Sequence, residues 1–114
     1  MDDCLFCKMA TGAIPVPKVY ENDTVIIIKD INPQAPHHLL AIPRAHYAAI
    51  HDVEPENGAL FKELYSAIST VVTSEGLDKK GYRLVINSGS SAGQSVDHIH
   101  VHILSGRQLH WPPG

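Results

Sequence analysis

Between Asp97 and Leu104 three histidines alternate strictly with aliphatic residues: Asp97-His98-Ile99-His100-Val101-His102-Ile103-Leu104. A period of two is that of a strand, which puts His98, His100 and His102 on one face and Ile99, Val101 and Ile103 on the other. Neighbours on one strand face stand about 6.7 Å apart, so the stretch reads as a row of imidazoles on a sheet backed by an apolar core. Imidazole serves as nucleophile, acid, base or ligand near neutral pH, which makes the row a candidate active-site strand. The alternative is a fortuitous histidine-rich tract or a buried polar ladder.

The 114 residues fit one domain, 1–114, large enough for a real core. Hydrophobic residues make up 44% and charged residues 18%, which argues against general disorder. A net charge of −3 leaves no Lys/Arg surplus to neutralise a polymeric nucleic acid, though a single nucleotide remains compatible with it. Met1-Asp2-Asp3 is acidic where a secretory leader would be basic, and the longest aliphatic run, Val25 to Ile28, is far short of a membrane span. The expectation is a cytoplasmic protein with no membrane association, where a structural disulfide would be unusual. Cys4 and Cys7 then need another account. Cys-x-x-Cys is half of many zinc sites, but the usual second pair is absent. A redox motif would need a thioredoxin-like context that this chain lacks, and the third option is two small core residues.

Along the chain, a short helix is expected from Cys4 to about Gly12, ahead of an extended path imposed by Pro15 and Pro17. Val19-Tyr20 and Thr24–Lys29 read as a hairpin around Glu21-Asn22-Asp23. A loop from Asp30 to Pro36 leads to a third strand, His37–Pro43, and Arg44 to Ile50 reads as a short helical turn. Asp52–Glu56 carries helix-start signals, followed by Leu60, Phe61, Leu64, Ile68, Val71 and Val72 at helical spacing up to Gly76. Tyr82–Asn87 is a fourth strand, and the small-residue loop Ser88–Ser95 connects it to the histidine strand as its neighbour. The order predicts an α+β protein: an antiparallel sheet of about five strands, one long helix and a short N-terminal helix.

The loop before the histidines adds chemistry. Gly93 and its neighbours let backbone N–H groups approach an anion, Ser95 adds a hydroxyl, and Asn87 reaches the same mouth from the adjacent strand. Each feature alone is more often a plain turn. Together with the histidines they describe a site for attack at phosphorus.

These residues carry a resemblance. Gln94-Ser95-Val96-Asp97-His98-Ile99-His100-Val101-His102-Ile103-Leu104 is similar to the His-x-His-x-His signature of the histidine triad (HIT) superfamily. Asp30–Pro36, Ile42–His46 and Gly81-Tyr82-Arg83 agree in order, and the ending Gly106–Gly114 resembles the Hint branch rather than the Fhit branch. The resemblance implies a homodimer that hydrolyses purine nucleoside 5′-phosphoramidates, with a nucleoside monophosphate moiety bound and no cofactor required for catalysis. His100 would be the nucleophile, forming a nucleotidyl-imidazole intermediate. His102 would contact the phosphate or leaving group and assist proton transfer, with Ser95 beside it and His38 as a further histidine of the site. Asn87, Gly93, Gln94 and Ser95 would hold the phosphate region, and Asp30 the ribose hydroxyls. Ile31 with Phe6, Ile14 and Ile28 would form the slot for the base, although Phe6, Ile14 and Ile28 read equally well as ordinary core. Some bacterial members have an N-terminal Cys-x-x-Cys, and there zinc is held by positions matching Cys4, Cys7, His46 and His98. A structural zinc is therefore implied here as well.

His37, His51 and His110 read as loop or surface histidines. The alternatives to a phosphoramidate hydrolase are a dinucleoside polyphosphate hydrolase or nucleotidyl transferase on the same triad, and a nucleotide-binding scaffold. Trp111-Pro112-Pro113-Gly114 weighs against the first, and an intact His100, His102 and Ser95 against the second.

Overall fold

The computed structural model describes residues 3–114; Met1 and Asp2, part of the acidic start, lie outside the described residues. The apolar run Val25-Ile26-Ile27-Ile28 explains the layering. It forms most of β2 (Val25–Lys29), and all four residues are buried. A strand that alternates apolar and polar residues covers one core, whereas an uninterrupted apolar run needs cover on both faces. Here Val25 and Ile27 pack against the long helix α2 (Ala59–Ser74), with Leu64, Ala67, Ile68, Val71 and Val72. Ile26 and Ile28 face the other way, onto Phe6 of the short helix α1 (Leu5–Thr11).

The sheet is antiparallel throughout, in the order β1 (Lys18–Glu21), β2, β3 (His37–Pro43), β5 (Val101–Ser105), β4 (Tyr82–Val85). β1 and β2 form the expected hairpin, closed by Asn22, whose side-chain oxygen accepts from the N–H groups of Thr24 and Val25 at 2.9 and 2.8 Å. β3 lies at the centre, between β2 and β5. β4 is an edge strand. A one-turn helix, α3 (Leu77–Lys80), links α2 to β4. No helix among the described residues is long and apolar enough to cross a membrane.

Four expectations change. First, the histidine stretch is not one strand. Pairing with β3 ends at Ala41–Val101, and the residues before Val101 find other partners. The Ile99 N–H donates to the Tyr47 carbonyl at 2.8 Å, and the His98 ring reaches the Pro43 carbonyl at 2.7 Å. The segment after β3 has left the sheet there, so no ladder exists to extend. Second, the signals at Asp52–Glu56 are spent on two 3₁₀ turns, Ile50–Asp52 and Pro55–Asn57, and α2 starts only at Ala59. Asp52 acts as a cap there, its carboxylate accepting from the Ala49 N–H at 3.1 Å. Third, β4 stops at Val85, leaving Ile86 and Asn87 outside the ladder. Fourth, the helical turn expected from Arg44 to Ile50 is absent: residues 44–49 hold no helical turn, and the first 3₁₀ turn starts only at Ile50.

Candidate functional site

β3 and β5 set the first pair of groups. Leu40 lies opposite His102 and His38 opposite Leu104, so the two histidines are diagonal neighbours on the α1 face of the sheet. Their rings meet edge to edge, His38 Nε2 to His102 Nδ1 at 2.9 Å. The loop before β3 decides which atom carries the proton. The Gln34 N–H donates to His38 Nδ1 at 3.0 Å, so Nδ1 is an acceptor and the proton of the neutral ring sits on Nε2. That Nε2–H is shared between His102 Nδ1 and the Asp30 carboxylate, 3.3 Å away. With its Nδ1 accepting, neutral His102 carries its own proton on Nε2. Burial lowers the pKa of both rings; at His102 the neighbouring His100 and His38 lower it further, and Asp30 offsets part of the shift at His38. Both rings are therefore neutral at pH 7.

His100 is held in the opposite sense. Its Nδ1–H donates to the His98 carbonyl at 2.8 Å, which leaves an unprotonated Nε2. Phe6 packs edge-on against the His100 ring at 5.0 Å between centroids, and the His102 ring lies at 5.0 Å from it. His100 and His102 line a cavity of about 180 Å³ whose apolar walls are Leu5, Phe6, Met9, Ile28, Leu40 and Val96. Asp30, Ile31 and Ser95 stand at its mouth, and Ile31 is 99% exposed. Lys29, Asp30 and Ile31 also line an adjoining groove of about 520 Å³ bounded by Val16 to Val19.

The structure therefore brings together most of the residues singled out in the sequence, with exceptions. Ile14 does not line the cavity. Gln94 is committed to its own loop: its amide donates to the carbonyls of Ala48 (2.6 Å) and Val96 (3.1 Å), and its side-chain oxygen accepts from the Gly89 N–H at 2.8 Å. Its backbone N–H is also taken, by the Gly89 carbonyl. The Gln94 side chain and N–H thus shape the loop. Gly93 sits at φ +98°, and a Cβ there would lie 3.7 Å from the Asn87 amide, so the bend brings Asn87 close to the loop. Asn87 itself lines a separate groove with Arg83, Arg107 and the C-terminal tail. Leu5, Met9, Leu40, Val96 and the Gln34 N–H were not legible as site groups, because each looks like ordinary core or loop until the tertiary structure converges them.

Behind the cavity lies a second cluster. His98 is fully buried; its Nε2–H donates to the Pro43 carbonyl, so its Nδ1 lone pair is free. That lone pair meets Cys4 Sγ at 3.3 Å, Cys7 Sγ at 3.6 Å and His46 Nδ1 at 3.0 Å, and Cys7 Sγ lies 3.3 Å from His46 Nδ1. Four ligand atoms on a tetrahedral zinc would be separated by roughly 3.3–3.8 Å, given Zn–N and Zn–S lengths of about 2.0 and 2.3 Å. The donor set fits: two thiols and two imidazole nitrogens, one fixed in the ligating tautomer by a carbonyl behind it. Burial and the neighbouring Cys4 raise the Cys7 pKa, which is the expected cost of collecting these groups without a cation.

Asp30, His38 and His102 also cluster at metal-ligand spacing. Their chemistry does not fit a metal. A metal on His38 Nε2 would move the ring proton to Nδ1, where it would face the Gln34 N–H donor. The Asp30–His38–His102 cluster is joined by shared ring protons instead.

The fold and site together define a small histidine-centred sheet protein: one imidazole with a free nitrogen, a hydrogen-bonded histidine pair beside it, and a thiol–imidazole cluster behind. The family described as scavenger mRNA decapping enzyme C-term binding, whose members are HIT-like, matches residues 3–110. An uncharacterised HIT-like protein of Synechococcus elongatus is 42% identical, covering 99% of this chain and 98% of its own length. The protein pkiA of Dictyostelium discoideum is 45% identical over 98% of this chain and 90% of that protein. Among solved structures, a HIT family hydrolase from Legionella pneumophila superposes with a TM-score of 0.94 at 47% identity, covering 98% of this chain and all of that one. A histidine triad nucleotide-binding protein from Candida albicans gives 0.82 at 30% identity, covering 96% of this chain and 83% of that one. The chain belongs to the HIT family.

Proposed function

We infer that this protein is a Hint-type hydrolase of purine nucleoside 5′-phosphoramidates, with His100 as the nucleophile. The observation that carries the reading is the His100 ring: Nδ1–H held by the His98 carbonyl, Nε2 unprotonated at the cavity. An imidazole in that tautomer attacks phosphorus without first losing a proton. The hydrolase and nucleotide-binding relatives are consistent with it.

In this scheme the base lies against Phe6, Ile28 and Ile31, and Asp30 accepts from the ribose hydroxyls. His100 Nε2 bonds to phosphorus as the P–N bond breaks, and the amine leaves with a proton taken up from solvent and handed over through His102 Nε2, whose neutral form is restored in the same step. The His38 Nε2–H, shared between His102 Nδ1 and Asp30, keeps Nε2 as the proton-carrying nitrogen of His102. Water then attacks the nucleotidyl-imidazole, its proton passing back to solvent, which releases the monophosphate and returns His100 to its neutral form. Positioning and neutralisation supply most of the rate, as in phosphoryl transfer generally. Ser95 at the mouth donates to a phosphate oxygen. Asn87 and Gly93 shape that side of the site, Asn87 from its neighbouring groove. Cys4, Cys7, His46 and His98 would hold a zinc ion, which when bound supplies a structural cross-link and no chemistry to the reaction.

The reading includes a homodimer. Tyr82, Leu84 and Ile86 project exposed from the edge strand and its extension, and an alternating apolar edge calls for a second copy. The test of function is to trap the adduct with a slow adenosine phosphoramidate and map it: nucleotidylation at His100 is expected, and modification elsewhere would overturn the mechanism. Turnover of a dinucleoside polyphosphate faster than the phosphoramidate would favour the other hydrolase, and AMP binding with no turnover of either would favour a scaffold.

A further inference from the structure

We propose that the Cys4–Cys7–His46–His98 cluster controls the nucleotide pocket: metal occupancy determines whether the pocket wall is docked. The inference rests on the nucleotide reading of the cavity and on the fit of the cluster to zinc.

Two covalent routes connect the cluster to the cavity. The first is α1. Cys4 caps this helix, its sulfur accepting from the Cys7 N–H, and Cys7 lies within it. The same seven-residue helix contributes Leu5, Phe6 and Met9 to the cavity wall. A helix this short has no stability of its own and exists only where it is held. Its tethers are the burial of Phe6 with Met9 and Ala10 packed beside it on the sheet, a hydrogen bond from Arg44 Nη1 to the Ala10 carbonyl, and the contacts of Cys4 and Cys7 with His46 and His98. Without a cation the last of these are weak thiol–imidazole contacts. With one they become bonds that join residues 4 and 7 to residues 46 and 98.

The second route is His98. Its ring is pinned at both nitrogens, Nε2–H on the Pro43 carbonyl and Nδ1 in the cluster. Its own carbonyl accepts the His100 Nδ1–H. Fixing the ring fixes the peptide that orients the nucleophile. His98 is a positioning residue, and Phe6 touches both rings, with centroids 5.9 Å from His98 and 5.0 Å from His100. Releasing the cluster therefore loosens the wall and the nucleophile's anchor together, while the sheet, still packed through its other face on α2, keeps its strand ladder.

The experiment compares untagged protein as purified, the same protein stripped with a chelator, and stripped protein reloaded with zinc. Metal content, AMP affinity by calorimetry and amide hydrogen exchange are read on each. If α1 is docked in one tenth of the stripped molecules, apparent AMP affinity falls about tenfold, and reloading restores it. In exchange, the α1 amides are expected to lose protection on stripping while those of β3 and β5 keep theirs. Equal α1 protection with and without zinc overturns the proposal, as does a chain that takes up no zinc. If the loaded protein fails to bind AMP, the nucleotide reading falls, and the α1 exchange still decides the coupling.

Discussion

His100 and His102 are two residues apart and chemically opposite. One ring donates through Nδ1 to a carbonyl and keeps Nε2 bare; the other accepts at Nδ1 and presents Nε2–H. Neither assignment follows from the spelling of the motif. Each depends on a partner from elsewhere, the His98 carbonyl in one case and His38 backed by the Gln34 N–H in the other. The roles predict different losses. His102→Asn removes the proton donor and should lower kcat about 10²–10⁴-fold in a phosphoramidate assay. His100→Ala should abolish turnover beyond that range and leave no trappable adduct, while AMP still binds. Gln94→Ala tests the loop. It leaves the Gly89 N–H and the Ala48 carbonyl without their partner, while the Val96 carbonyl keeps the His98 N–H, and should cost about 1–3 kcal/mol of stability in denaturant unfolding. Its effect should fall on KM more than on kcat, because the residue shapes the phosphate loop without touching the reacting atoms.

At the scale of elements, the central pair β3 and β5 carries a pH dependence. His38 and His102 project from them onto one face, and burial lowers the pKa of both from 6.5. Above pH 6.5 both rings are neutral in folded and unfolded chains alike, and they contribute no slope. As pH falls below 6.5 the unfolded chain takes up protons that the fold refuses, so stability declines until the lowered folded-state values are reached. The thermal midpoint should therefore fall on acidification through that window. In the double variant His38→Gln, His102→Asn the decline should be shallower than in wild type; identical slopes would mean that the pair does not titrate as its burial implies. The same strands show how far periodicity reads. In β2 the apolar run gave the strand but not which residues face which helix. In β5 the period put Val101 and Ile103 on the face opposite the histidines, which the fold packs on α2, but it could not show that the ladder ends at Val101.

For the whole molecule, the exposed side of β4 is the feature a monomer leaves unexplained. Tyr82, Leu84 and Ile86 are 43%, 45% and 39% exposed along an unpaired edge. The proposed homodimer would cover them, so Leu84→Glu with Ile86→Glu should shift the mass measured by light scattering from two chains to one. A wild-type mass of one chain would remove the dimer from the reading. The two clusters on the α1 face, one suited to metal and one to proton transfer, are kept distinct by single backbone groups. The Pro43 carbonyl behind His98 turns a lone pair toward the thiols; the Gln34 N–H behind His38 turns a proton toward His102.

By itself the amino-acid order determined the α+β class, the strand order in the chain, the long helix and the set of chemistry-bearing residues. These follow from local periodicity and from residue types that have few other uses in such density. It also placed Cys4, Cys7, His46 and His98 together, though only through resemblance, since no spacing rule joins positions 4 and 98. What only the tertiary structure decided is which ring nitrogen each histidine presents. A tautomer is set by whichever backbone N–H or carbonyl lies within hydrogen-bond reach, and those groups come from residues 34, 43 and 98, invisible as chemistry in a sequence because every residue has them. The three histidines were legible as a row, with roles implied by the resemblance; which nitrogen each ring offers depended on what the fold put behind it.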